Sequence, residues 1–385
     1  MRHPWSSQQF AQGSKKAGIS SGVVSAAQIA AERIKAVNPD LPVIFSLEHL
    51  CHLSDVSFIT IRSIVNREED PYRVFRVKKR FRSGRGSAAP RKYRTICVPS
   101  PVLMRLQRWI AQNILNVVAP HELSYAFAPK KDLYGAASRH RNSKWLVKID
   151  VRHFFESILE SRIFGVFSRL GYGQLLSFEM ARICTRVRDE DNISRSASRG
   201  RMSGFGPYPN NTDGHLPQGA PTSPMLANLA VFGLDEKLEA LAKNYGWTYT
   251  RYADDLAFSI SSESTRGRAQ RLAILAEREL VAFGLKVNRQ KTSITSPRAR
   301  KVLLGLLVDR EQPRLTRSYR NNVETHLYAL TSSQIGATAH RKKRGFSSTI
   351  GMRRHIAGLI AYAHRIDRDY AAKLYSLFNA IDWSR

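Results

Sequence analysis

From Lys144 to Val151 the chain reads Lys-Trp-Leu-Val-Lys-Ile-Asp-Val, a run that predicts a strand with Asp150 near its C-terminal end. A second run, Thr248 to Ser259, is β-prone on both sides of two adjacent carboxylates, Asp254 and Asp255, and predicts a β-hairpin with acidic groups at its tip. Between Tyr72 and Pro99, basic and apolar residues alternate through Lys78-Lys79-Arg80-Phe81-Arg82, a Gly/Ser turn, and Arg91-Lys92-Tyr93-Arg94-Thr95-Ile96-Cys97. That alternation predicts a hairpin exposed on one face. Leu103, Leu106, Ile110, Ile114 and Val117 recur at helical spacing across 101–118. Further helices are predicted at 26–36, in one or two pieces over 46–67, and over 157–187, 224–240 and 264–283. Short strands follow near 291–295 and 302–308, and from Ser318 onward the pattern is helical and basic. The Ser-, Gly-, Pro- and Asn-rich stretch from Arg188 to His215 reads as a long surface loop. There is no internal repeat.

Composition narrows the partners. Among 385 residues, 61 Lys plus Arg stand against 31 Asp plus Glu, a formal net charge of +30. That excess favours a polyanion, with nucleic acid ahead of an anionic membrane surface because no amphipathic anchor stands out. Cys51, Cys97 and Cys184 form no CxxC pair, so a disulfide framework or a zinc site is not expected. Met1 to Ser6 carries no apolar signal core and no run reaches membrane-span length, so a cytoplasmic protein of two to three domains without a membrane partner is expected.

Within this basic chain Asp150, Asp254 and Asp255 form an acidic exception. Phosphoryl transfer by two divalent ions needs carboxylates flanking metals about 3.5–4 Å apart, and Mg²⁺ suits such a site because it leaves positions for substrate phosphates. Adjacent aspartates on one strand point to opposite faces, so both serve only beside a tight turn, and Asp254 is the safer choice. A solvated turn is the bland reading of any such pair. The turn Leu216-Pro217-Gln218-Gly219-Ala220-Pro221 precedes a helix, with Ser223 and Pro224 suited to its cap and first position.

Asp150-Val151-Arg152-His153-Phe154-Phe155, then Leu216 to Pro224, then Tyr252 to Asp255 resemble, in order and spacing, the successive palm motifs of reverse transcriptases. Lys92-Tyr93-Arg94-Thr95-Ile96, Gly284-Leu285-Lys286-Val287-Asn288 with Lys291-Thr292, and Leu304-Gly305-Leu306 extend the resemblance over about 46–310. It implies an α+β right-hand polymerase: an N-terminal extension (1–45), fingers (46–143), a palm (144–310, with a loop insertion at 188–215) and a helical, RNA-binding thumb (311–385). It implies that Asp150, Asp254 and Asp255 are catalytic and, with Val151, hold two Mg²⁺ ions, Mn²⁺ being a possible substitute. Arg94 is then placed at the triphosphate, Gln218 and Gly219 in the nucleotide pocket, and Phe155 at the 2′-OH as an aromatic gate. Val151 and Lys291 also fall on the nucleotide side, Lys291 as a pyrophosphate-side proton donor. Tyr252, Leu304 and Gly305 fall at the primer and template.

Within that family the chain is most similar to compact bacterial retron enzymes, in length, in Pro-Gln-Gly-Ala-Pro-Thr-Ser-Pro, and in a basic thumb containing His355 to Tyr362. Two retron marks depart from pattern: Asn-Ala-x-x-His reads Ala136-Ala137-Ser138-Arg139-His140, and Val-Thr-Gly reads Leu303-Leu304-Gly305. The resemblance implies an RNA-directed DNA polymerase using dNTPs, a cognate structured noncoding RNA, an RNA–DNA product (msDNA) begun from a 2′-OH, an effector protein and antiphage defence. The alternatives are another defence-associated or group II-like reverse transcriptase, a template-independent or protein-primed relative, and a non-catalytic nucleic-acid-binding scaffold. His140 reads as a capping or packing residue, His153 and Phe154 as palm packing, and Tyr362, Tyr370 and Tyr375 as thumb core. Arg188, Arg195, Arg199 and Arg201 invite RNA contact from the loop.

Overall fold

The computed structural model describes residues 5–78, 93–187, 213–332 and 335–383. The hairpin tip with Lys79, Arg80, Arg82, Arg91 and Lys92, and the loop residues Arg188, Arg195, Arg199 and Arg201, lie outside the described residues. Along the chain come α1 (Ser7–Lys16), α2 (Ser21–Val37), α3 (Leu47–Ser54), α4 (Phe58–Asn66), β1 (Tyr72–Lys78), β2 (Tyr93–Pro99), α5 (Pro101–Ile110) and α6 (Leu133–Ser138). Next are β3 (Trp145–Arg152), α7 (Glu160–Arg169), α8 (Gln174–Cys184), α9 (Ser223–Ala230), α10 (Phe232–Asn244), β4 (Thr248–Tyr252), β5 (Asp255–Ile260) and α11 (Arg266–Ala282). The last are β6 (Lys286–Val287), β7 (Ser293–Thr295), β8 (Val302–Leu303), β9 (Leu306–Leu307), β10 (Arg314–Leu315), α12 (Arg317–Thr331), α13 (Gly336–Arg344), α14 (Thr349–His364) and α15 (Arg368–Asn379).

Side-chain caps set many helix starts. Ser46, Asp132, Ser348 and Asp367 each accept the backbone N–H three residues on, satisfying a donor that the first turn leaves open. Three local expectations are corrected. The helix predicted over 101–118 ends at Ile110 and continues as a π-turn, Ala111–Leu115, because Asn113 Nδ2 takes the Trp109 carbonyl (2.7 Å) and Asn116 N closes on Ala111 O (2.9 Å). The helix predicted over 224–240 is two: Val231 N ends α9 on Ala227 O, while Val231 O accepts Leu234 N and Asp235 N to begin α10. Beyond Tyr72, β1 is exposed on both faces rather than one, since the two-stranded β1–β2 ribbon has no third strand among the described residues.

The chain forms two compact units. The first comprises Met1–Lys130, Val151–Lys237 and Glu279–Val287. It holds the β1–β2 ribbon and a helical body in which α7 packs on α8 and α9. Arg186 and His215 exchange backbone hydrogen bonds of 2.9 and 3.0 Å, and Glu160 is buried among Arg67, Arg182 and Thr185. The second unit comprises Lys131–Asp150, Leu238–Arg278 and Asn288–Arg385. Here β5 lies between β4 and β3, and β7 pairs with β3, all antiparallel. One apolar core joins Leu146 and Ala257 of these strands to Leu303, Leu306 and Leu315 of the β8–β10 sheet and to Leu327, Ile356, Ile360 and Leu374 of the C-terminal helices.

Candidate active site

The β4–β5 ladder closes on Tyr252↔Asp255, so Ala253 and Asp254 form a two-residue turn. Ala253 has φ +55° while Asp254 does not have positive φ, the sign pattern of a type II′ turn, in which glycine is usual at the first position. The buried Arg251 points a guanidinium N–H at the Ala253 carbonyl, at 3.4 Å. This is the tight turn that two neighbouring carboxylates require: it takes Asp254 out of the strand alternation and leaves Asp255 as the first residue of β5. In the β3–β5 register Asp255 stands opposite Asp150. The sequence pattern favours Asp254 of the pair, whereas Asp255 faces Asp150 across the ladder.

Asp150 is buried, and both its oxygens are engaged: Asn288 Nδ2 donates to Oδ1 (2.8 Å) and Lys291 Nζ to Oδ2 (2.7 Å). Asn288 O accepts from Lys291 N and Thr292 N, a turn that brings both side chains to Asp150. Protein packed around Asp255 raises its carboxyl to about 6, and the charges of Asp254 and Asp150 push the same way against Lys291 and Lys148. Since Asp255 stays open to solvent on one side, the neighbouring carboxylates are the part of this shift that a bound cation would reverse. Among the described residues no group of three or more His, Cys, Asp or Glu is drawn together as a metal site. Lys291 brings a positive charge to Asp150. Carboxylates such as Asp150, Asp254 and Asp255 are the ligand type that suits a hard oxygen-seeking ion.

His140 is fully buried, with Nδ1 2.7 Å from Ser259 Oγ of β5 and Nε2 2.7 Å from Thr250 Oγ1 of β4. It therefore packs rather than caps, and it bonds both strands that flank the Ala253–Asp254 turn. Burial, with Arg139 nearby, pushes its imidazole down to about 3, so the ring is neutral. In the same unit Leu304 (φ +49°) and Gly305 (φ +87°) make the β8–β9 turn, both left-handed as a type I′ turn requires. A β-carbon at Gly305 would sit 3.9 Å from the Tyr362 hydroxyl, and the Tyr362 ring lies 5.2 Å from that of Tyr319, tilted by 49°.

The other predicted residues lie in the first unit. Gln218 O accepts from Cys97 N of β2 (2.8 Å), which ties the Pro217–Pro221 turn to the strand carrying Arg94. Arg94 is exposed, opposite Val77. Val151 is buried and paired with Val287. Phe155 is half-buried in a 3₁₀ turn, with its ring 5.6 Å from Phe154 and 6.3 Å from Phe127. His153 is exposed with φ +48°, not packed as expected, while Phe154 is buried. The Ser223 cap is also corrected: Ser223 Oγ donates back to Pro217 O (2.7 Å), and Thr222 precedes the helix without a side-chain cap bond. The sequence pattern assigns no role to Phe127 or Lys148, and Asn288 enters only as the last residue of the Gly284–Asn288 motif, three residues before Lys291.

Residues 77–312 match the family described as Reverse transcriptase (RNA-dependent DNA polymerase). The chain is 28% identical over 334 residues to the retron Ec86 reverse transcriptase of Escherichia coli, covering 86% of this chain and 93% of that protein. It is 30% identical over 301 residues to the retron Ec73 reverse transcriptase of Escherichia coli, covering 75% of this chain and 84% of that protein. It is also 31% identical over 299 residues to the retron Mx162 reverse transcriptase of Myxococcus xanthus, covering 74% and 58%. The chain is a retron-type reverse transcriptase.

As such it is an RNA-directed DNA polymerase of the right-hand fold, with mixed helices and antiparallel sheets. Among the described residues no helix is long and apolar enough to cross a membrane. In this reverse transcriptase Gly219 has a visible steric reason. Its φ is +119°, and a β-carbon there would meet Cys97 O at 2.8 Å and Ile96 Cγ2 at 3.1 Å. Gly219→Ala is expected to lose about 2–3 kcal/mol of stability, since neither the strained backbone nor the β2 carbonyl can yield cheaply. Urea denaturation checks this, and a midpoint equal to wild type would refute the close approach.

Proposed function

We propose that this reverse transcriptase copies part of a cognate structured noncoding RNA into single-stranded DNA, with Asp150, Asp254 and Asp255 as the catalytic carboxylates and two Mg²⁺ ions held there. The observation that carries the site is the Asp150↔Asp255 pairing beneath a two-residue turn, with the Asp255 carboxyl raised to about 6 by burial and its acidic neighbours. Asp150, Asp254, Asp255 and the Val151 backbone would hold Mg²⁺, or Mn²⁺ in its place, which when bound would supply the charge that activates a primer hydroxyl and stabilises a leaving oxygen. Lys291, paired with Asp150, is the proton donor on the pyrophosphate side. Arg94 binds the β- and γ-phosphates, Gln218 and Gly219 line the nucleotide pocket, and the Phe155 ring excludes a 2′-OH. Tyr252, Leu304 and Gly305 hold the primer end.

The net charge of +30 and the exposed Arg73, Arg76, Lys78 and Arg94 on the β1–β2 ribbon support an RNA–DNA partner, as do the retron relatives. The division into fingers (46–143), palm (144–310) and thumb (311–385), the cytoplasmic setting, an effector protein and a role in antiphage defence belong to the same proposal. Purified protein given an RNA template, a DNA primer, dNTPs and Mg²⁺ should extend the primer, and the Asp254→Asn/Asp255→Asn double variant should not. A double variant that extends normally would refute the site. Nucleic acid extracted from the purified protein should contain a branched RNA–DNA species, and its absence from catalytically active protein expressed in its native host would count against the dedicated RNA.

A further inference from the structure

We propose that Phe127 is a positioning residue for sugar discrimination: its ring fixes the Phe155 ring from the side. The inference rests on reading Phe155 as the group that meets the ribose 2′ position. Phe155 sits in a three-residue 3₁₀ turn, a short support for a ring whose placement must hold to a fraction of an ångström. Two aromatic neighbours hold it. Phe154 is buried and meets it edge-on at 5.6 Å; Phe127 meets it at 6.3 Å with the planes tilted by 54°.

Phe127 is not there as core. The residue is 53% exposed. Its backbone is left-handed, φ +59°, and Lys130 three residues on has the same value, a conformation bulky residues rarely take. Such strain persists only where the surroundings impose it, and here they do. Asn228, buried on α9, donates from Nδ2 to Ala126 O at 2.8 Å and accepts from Ser124 Oγ at 2.9 Å. The clamp grips the residues on either side of Tyr125 and leaves Phe127 projecting. The helix that provides Asn228 is the one that follows the Gln218-Gly219 turn, so a single helix anchors both the turn assigned to the nucleotide and the loop that steadies the gate. A solvent-facing phenylalanine in a clamped, strained loop, with its ring against Phe155, is accounted for by the position it gives that ring.

The test is single-nucleotide extension on an RNA template with a DNA primer. It reads kcat/KM for a dNTP and for the matching rNTP in wild type, Phe155→Ala, Phe127→Ala and Phe127→Tyr, with thermal melts confirming that each variant folds. Phe155→Ala should raise rNTP use relative to dNTP most. Phe127→Ala should raise the same ratio by about two- to tenfold, the range an aromatic pair contributes, and Phe127→Tyr should restore it. If Phe155→Ala shifts the ratio and Phe127→Ala leaves it at the wild-type value, or lowers both substrates equally, the positioning role is overturned and the gate stands. If Phe155→Ala itself leaves the ratio unchanged, the gate reading fails and the role of Phe127 falls with it.

Discussion

Asp255→Asn is expected to abolish polymerisation and at the same time to raise the melting temperature of the metal-free protein. The two effects have one origin. Three carboxylates stand at the end of one ladder with Lys291 and Lys148 as their balancing cations. Burial first, then Asp254 and Asp150, raise the Asp255 carboxyl from its ordinary value to about 6. A raised acid destabilises the fold when ionised. The penalty is therefore fully present above pH 6, shrinks as pH falls through 6, and is gone below the ordinary carboxylate value near 4. An asparagine carries no such penalty. At pH 7.5 the variant should gain about 1 kcal/mol, a figure already reduced because Asp255 is open to solvent, and near pH 4 the gain should vanish. Polymerisation should fall on the order of a thousandfold or more if Asp255 is one of the proposed metal-holding carboxylates.

Added Mg²⁺ should raise the melting temperature of wild type and raise that of the variant less, because a ligand that binds only the folded state stabilises it by mass action. Protons compete for the same carboxylate, so the Mg²⁺ concentration needed by wild type should climb as pH drops below about 6. A metal-free melting temperature that falls in Asp255→Asn would contradict the like-charge account. Polymerisation retained within tenfold would contradict the catalytic one.

The parts of this site that were legible in the sequence are those whose chemistry shows in residue type and period. A strand ending near Asp150 and a β-prone segment broken by Asp254-Asp255 are both visible as patterns, and the ladder joins them as Asp150↔Asp255. Backbone geometry was not legible. Nothing in Ala253, Phe127 or Leu304 as residue types announces positive φ; each is held there by what surrounds it, as the Arg251 contact at Ala253 and the Asn228 clamp near Phe127 illustrate. Helix continuity failed for a related reason. The apolar period runs through Ile110 and through Val231, but the side chain of Asn113 and the backbone carbonyl of Val231 redirect hydrogen bonds in ways that hydrophobic spacing does not encode. Whether His140 caps or packs depends on the hydroxyls at its two nitrogens, Ser259 Oγ and Thr250 Oγ1, and residue type does not encode them.

That histidine carries the largest expected effect on stability. His140→Leu keeps the apolar surroundings filled but strips the hydrogen-bond partner from Thr250 Oγ1 and Ser259 Oγ, both on buried residues. The neutral ring can donate from one nitrogen and accept at the other, which the two hydroxyls complement. Each buried group left unpaired costs about 1–3 kcal/mol, so the variant should lose about 2–5 kcal/mol in urea denaturation at pH 7.5. Adding Thr250→Val and Ser259→Ala to His140→Leu should recover part of that loss, because no polar group is then left stranded. The imidazole also sets a pH signature. In the fold it resists protonation down to about 3, whereas in the unfolded chain it takes a proton near 6.5. Between those values the unfolded state binds more protons, so wild-type stability should fall as pH drops from 6.5, by about 1.4 kcal/mol per pH unit from this residue. His326, pushed down to about 4 by burial and then by Arg344, His340 and His355, adds a slope of the same sign, and Asp255 adds one of the opposite sign. Both persist in His140→Leu, so the difference between wild type and variant isolates His140. That difference should shrink steadily below pH 6.5; a gap that stays constant down to pH 4.5 would mean that the ring is charged in the fold, and the tie between β4 and β5 would then need a different account.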